Sequence, residues 1–206
     1  MSMPLRGRRI TLLRPGGRHI PVVRMSLGWE AAPRLDAHGH PSTWETELDT
    51  AVVLYARGCV VRRLDQDNEN GRYIADEMQQ DAVANSSWWW NYSLTSAETY
   101  MIYEGEQEIV KYEPQSDVDL AGSCAEVNVG LQGSSGVMFG ISKQICGDQH
   151  GPVQRPDDEE MTLGFGWSGF SDPGDDVAAI GTTLVRVDSL VGATSTLRNK
   201  VEWTWY

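Results

Sequence analysis

Apolar and polar positions alternate over short runs along most of the chain, and no amphipathic stretch keeps a helical period for more than two or three turns. Such a pattern predicts strands separated by Gly- and Pro-bearing turns. Residues 9–13 and 19–23 flank Arg14-Pro15-Gly16-Gly17-Arg18, which predicts a hairpin or a loop between edge strands, with Pro21 blocking one ladder bond. Residues 51–55 and 59–61 flank Ala56-Arg57-Gly58, which predicts a second hairpin. Further strands are predicted over 108–112, 125–131, 136–141, 161–165, 182–187 and 201–206. Only residues 73–83, ending before Asn85-Ser86-Ser87, carry the period of a helix. The expectation is a mainly β fold, a two-sheet β-sandwich with long loop insertions and at most one or two short helices. The 206 residues suffice for one β-rich domain over 1–206, in which 66–140 is an insertion or excursion.

Charge narrows the partners. The 17 Lys+Arg and 29 Asp+Glu give a net −12, which repels nucleic-acid phosphates and anionic lipid. No nucleic acid and no membrane is therefore expected among the partners. The sign is uneven: residues 1–63 hold ten Arg and five acids, whereas 64–206 hold seven bases and twenty-four acids. The two parts either neutralise one another within the domain or present a basic arm to an anionic partner. No run approaches the roughly 20 apolar residues of a membrane span. Residues 10–13, behind Arg6, Arg8 and Arg9, are too short for a secretory leader, so a cytoplasmic protein is expected. Cys59, Cys124 and Cys146 form no CxxC pair and read as buried or incidental thiols rather than a disulfide framework.

Enzyme signatures are weak. His19, His38, His40 and His150 lie in or beside Gly/Pro-bearing loops without the spacing of a zinc pair on a helix. Gly133-Ser134-Ser135-Gly136 is not a nucleophile elbow, and no phosphate-cradling loop occurs. A non-enzymatic protein is expected.

The acids are more informative. Glu47 and Asp49 alternate around Leu48 at a strand entrance, where both carboxylates can project from one edge or simply mark a polar strand start. Gly147-Asp148 and the run Asp157-Asp158-Glu159-Glu160 bracket a Gly- and Pro-bearing loop, so Asp148, Asp157 and Asp158 can fold back on one cation or remain solvated. Asp65-Gln66-Asp67-Asn68-Glu69-Asn70-Gly71, with Asp76 and Glu77 beyond, has the alternating oxygens of an EF-hand loop, but its glycine falls one position late. A solvated acidic turn is the simpler expectation there.

Taken in order, Leu27-Gly28-Trp29-Glu30, then Glu47-Leu48-Asp49 before an apolar run and Gly58-Cys59-Val60, then Gly147-Asp148 with Asp157-Asp158-Glu159, the chain resembles the TerD family of tellurium-resistance and stress proteins. In that family Leu-Gly-Trp-Asp, Asp-Leu-Asp-Ala and Gly-Asp-Asn…Asp-Asp-Glu segments recur in this order, and their acids build calcium sites on a β-sandwich. The gap between Gly-Asp and Asp-Asp-Glu is the most specific point of similarity. The resemblance implies Ca²⁺ as the cofactor and Asp49, Asp148, Asp157 and Asp158 as its ligands, with Glu47 standing where the family has Asp, and Glu159 beside them. It covers about seventy residues, in 8–61 and 147–163.

Trp88-Trp89-Trp90-Asn91-Tyr92 adds an aromatic run. In a strand Trp88 and Trp90 share one face and Trp89 takes the other, so these residues either fill the core or offer an interaction surface. The function expected is that of a calcium-binding, non-enzymatic stress-response protein, against tellurium, chemical or phage stress. One alternative is a phage virion structural protein (tail-tube, decoration or assembly component) that self-associates and resides in the virion; another is a carbohydrate-binding module using Trp88 to Tyr92.

Overall fold

A computed structural model of the chain describes residues 7–9, 23–31, 42–49, 54–67, 71–84, 92–133, 135–153, 161–188 and 195–205. These form twelve strands in chain order: β1 (Gly7–Arg9), β2 (Val23–Ala31), β3 (Ser42–Asp49), β4 (Leu54–Asp67), β5 (Gly71–Ala84), β6 (Tyr92–Tyr103), β7 (Gln107–Glu113), β8 (Val118–Gln132), β9 (Met138–Val153), β10 (Met161–Ser168), β11 (Asp176–Val187) and β12 (Ser195–Trp205). They build a seven-stranded sheet, β1-β2-β12-β6-β10-β9-β8, and a five-stranded sheet, β3-β4-β5-β11-β7. All pairings are antiparallel, and the sheets pack face to face as the expected sandwich. Among the described residues there is no helix, and hence none long and apolar enough to cross a membrane.

The core lies between the sheets. Leu54, Ala56, Ala82, Val177 and Ala179 meet Leu94, Ala97, Val201 and Trp203, and further along the strands Ile74, Met78 and Val185 meet Met101, Phe165 and Leu197. Residues 66–140 run through both sheets, since they contain β6, interior to the larger sheet, and β5, interior to the smaller.

Three expectations are corrected. Residues 73–83 form a strand, β5, instead of a helix, because this strand is covered on both faces and so shows no simple alternation. Ile74, Met78 and Ala82 face the larger sheet, while Tyr73 and Ala75 pack with Leu131, Phe139 and Leu184 on the opposite face. Ala56-Arg57-Gly58 is the middle of β4 and not a turn. Gly58 is required there by packing, since a Cβ would stand 2.2 Å from the Asn199 side-chain nitrogen. Cys124 and Cys146 are direct register partners on β8 and β9 and form a disulfide.

The cover on the outer face of the smaller sheet is the β8–β9 hairpin. Its base belongs to the larger sheet through β9–β10 pairing, and its distal part lies over β5 and β11. Ala178, Ile180, Thr182 and Leu184 of β11 point outward by register yet are at most 1% exposed beneath it. The chain is thus three layers thick along β11.

Candidate functional site

Glu47 and Asp49 lie at the end of β3, not at its start. They pair with Arg57 and Tyr55, while Leu48 pairs with the buried Ala56, so the two acids occupy register positions on the face opposite the core. β3 is the edge of the five-stranded sheet. Asp148 is exposed on β9, in the other sheet, opposite a bulge of β8 over residues 120–122. The preceding Gly147 is fixed by two constraints: its φ of 149° and the indole of Trp167, whose Nε1 would lie 2.1 Å from a Cβ. Trp167 Nε1 in turn donates to the Cys146 carbonyl at 2.6 Å. This indole contact gives the Gly-Asp motif a packing reason that its sequence alone did not show.

Asp157, Asp158 and Glu159 lie outside the described residues, in the connection 154–160 between β9 and β10. That connection leaves β9 at Val153, five residues beyond Asp148 and roughly 17 Å along the strand at about 3.3 Å per residue. Register sets the two regions at opposite ends of the sandwich. Met161 pairs with Tyr103 near the Arg62 end, whereas Gln149 pairs with Ser168, at the end where Asp49 pairs with Tyr55. Among the described residues no group of three His, Cys, Asp or Glu side chains converges as a metal site. Trp88, Trp89 and Trp90 also lie outside the described residues, and Tyr92, at the start of β6, packs half-buried against the core.

Other acids are committed to ion pairs and hydrogen bonds inside the protein. Asp76, fully buried, accepts from Arg62 Nε at 2.7 Å and Nη2 at 2.6 Å, and from the Tyr103 hydroxyl at 3.0 Å. Burial disfavours the charge on Arg62, but Asp76 outweighs this and raises its pKa. Burial also holds the Tyr103 hydroxyl protonated, its pKa well above normal, with Thr183 Oγ1 as a second partner.

On the outer face three carboxylates grip the hairpin: Asp65 accepts from the backbone and hydroxyl of Ser135, Glu77 Oε1 accepts the Gly140 amide at 2.9 Å, and Asp81 pairs with Lys143. Asp65, Asp76 and Glu77, grouped in the sequence as an acidic turn, are therefore all buried and divided between two faces. Arg62–Asp76 and Arg63–Glu77 also join the basic and acidic parts of the chain directly.

His150 sits where β9 leaves its pairing with β10 and the β8–β9 hairpin passes over the smaller sheet. It is fully buried, its Nε2 accepts the Ile180 amide at 3.0 Å, and burial lowers its pKa to about 4, so the ring is neutral at pH 7. A shallow groove of about 140 Å³ beside it is lined by Glu98, Asp117, Gln149 and Trp167 among others. It is smaller than the roughly 300 Å³ of an ordinary ligand pocket. Comparison with protein-family models gave no match, and comparison with curated proteins gave none either.

Proposed function

We propose that the chain is a calcium-binding, non-enzymatic β-sandwich of the TerD-like kind, acting in the cytoplasmic response to tellurium or other chemical stress. The observation that carries this is the β9–β10 connection. Only residues 154–160 join the two strands, and four consecutive positions among them are Asp157, Asp158, Glu159 and Glu160. Charges so confined repel one another unless a cation neutralises them, and clustered carboxylate oxygens suit a hard ion such as Ca²⁺. Glu47 and Asp49, on the edge strand of one sheet, and Asp148, in the other sheet, belong to the opposite end of the sandwich and stand apart from this cluster. Ca²⁺ would contribute neutralisation and rigidity at the strand ends.

Calorimetric titration with Ca²⁺ tests the proposal. Asp157→Asn with Asp158→Asn should abolish binding, whereas Asp148→Asn, at the other end of the sandwich, should leave it unchanged. Wild-type affinity and stoichiometry in the double variant would refute it. A structural role in a particle, such as a phage tail or capsid, is favoured by one separate feature, the long terminal strand β8 of the larger sheet.

A further inference from the structure

We infer that β8 is a self-association edge, through which two copies of this chain pair antiparallel about Asn128. β8 is fifteen residues long and, among the described residues, ends its sheet with β9 as its one strand partner. The direction of its backbone groups follows from the hairpin. Gly133 donates its amide to the Val137 carbonyl at 2.8 Å, so bonded pairs with β9 fall on odd-numbered residues of β8. Gly140 agrees with this alternation: it stands opposite Gly130, and its amide turns away from β8 to Glu77. The amides and carbonyls of Cys124, Glu126, Asn128, Gly130 and Gln132 therefore point outward from the sheet, and all five residues are exposed.

Protected edges carry Lys, Pro or inward charges. Residues 124–132 have no Lys, Arg or Pro and a single charge, Glu126. By contrast β7, one of the two terminal strands of the smaller sheet, is seven residues long and carries Glu108, Lys111 and Glu113. The occupant follows from the order of residues. With a two-fold axis at Asn128, Asn128 meets its own copy, Glu126 meets Gly130, Cys124 meets Gln132, and Val127 meets Val129. Each outward amide then faces an outward carbonyl, and the two Glu126 carboxylates fall on opposite sides of the axis. Moving the axis to residue 126 would set these carboxylates against each other, and moving it to residue 130 would shorten the ladder. A second copy of the chain therefore fits this edge in one register, and the larger sheet continues across the pair.

Sedimentation velocity of the full chain, from low micromolar to near-millimolar concentration, tests this. The wild type should dimerise reversibly. Asn128→Pro removes an outward donor without touching a β8–β9 bond, and Asn128→Lys places two cations at the axis; each should raise the dimer dissociation constant at least tenfold. Circular dichroism and an intact Cys124–Cys146 disulfide serve as folding controls, and the Lys variant covers the case in which Pro disturbs the strand. A wild type that stays monomeric throughout, or dimers that persist in folded forms of both variants, would overturn the inference.

Discussion

Arg62 and Asp76 stand directly opposite each other on β4 and β5 and close a two-pronged ion pair inside the sandwich, with side chains 1% and 0% exposed. Two charges of opposite sign leave water together here, and Tyr103 satisfies a further carboxylate lone pair.

Asp76→Asn should therefore destabilise the protein by about 3–5 kcal/mol, because Arg62 is left as an uncompensated buried charge. Replacing both partners, Arg62→Met with Asp76→Leu, should recover most of that loss. Urea unfolding of the two variants checks the difference, and equal destabilisation would mean that the pair is not acting as a unit.

His150 should make stability pH-dependent. Its folded pKa of about 4 lies below the ordinary 6.5, so between these values the unfolded chain binds more protons and stability falls as pH falls. The loss should total roughly 3 kcal/mol by pH 4. Ile180 N–H, which needs a neutral acceptor, is the group that loses its partner, while the nearby Asp117 charge moderates the shift. Subtracting the profile of His150→Gln isolates this term from the titrating carboxylates; identical slopes in wild type and variant would count against it.

The disulfide should matter for the hairpin. Cys124 and Cys146 are 22 residues apart in sequence, and closing a loop of that size is worth about 3 kcal/mol in the chain-entropy account. Reductant should lower the Tm, whereas Cys59→Ser should leave that response intact. Mass spectrometry of protein kept under cytoplasmic reducing conditions would show whether the pair persists there, since such compartments ordinarily hold thiols reduced.

Glu77→Gln should loosen the distal hairpin without unfolding the sandwich. The Gly140 amide loses a charged acceptor, worth roughly 1.5–3 kcal/mol, and Arg63 loses its partner carboxylate. Hydrogen exchange over residues 133–143 should accelerate while exchange in β6 stays slow. Uniform acceleration in both regions would place Glu77 in the global core instead.

Much of this architecture was legible in the sequence. Residues 108–112, 125–131 and 161–165 alternate or run apolar as strands do, and they lie within β7, β8 and β10. β5 was not legible because Asp76, Glu77, Gln80 and Asp81 look like the polar face of a helix until their partners are known. Those partners, Arg62, Gly140 and Lys143, come from other strands, and the Lys200 carbonyl receives the Gln80 amide. Gly58 read as a turn because its reason, Asn199, lies 141 positions away. The Cys124–Cys146 pairing depends on hairpin register, which no spacing rule supplies. Of the acid motifs, Gly147-Asp148 was visible as a unit, but its anchoring by Trp167 was not.

Occupation of the acidic β9–β10 connection by Ca²⁺ is checked by thermal melting in EDTA, in millimolar Mg²⁺ and in millimolar Ca²⁺. Calcium at a hundred times its dissociation constant stabilises a folded chain by about 2.7 kcal/mol, which for a protein of this size is a rise of roughly 5–10 °C in Tm. A rise of that order in Ca²⁺ alone is the predicted result. Superimposable curves in all three conditions would mean that no calcium is bound and that the carboxylates of 157–160 are a solvated turn.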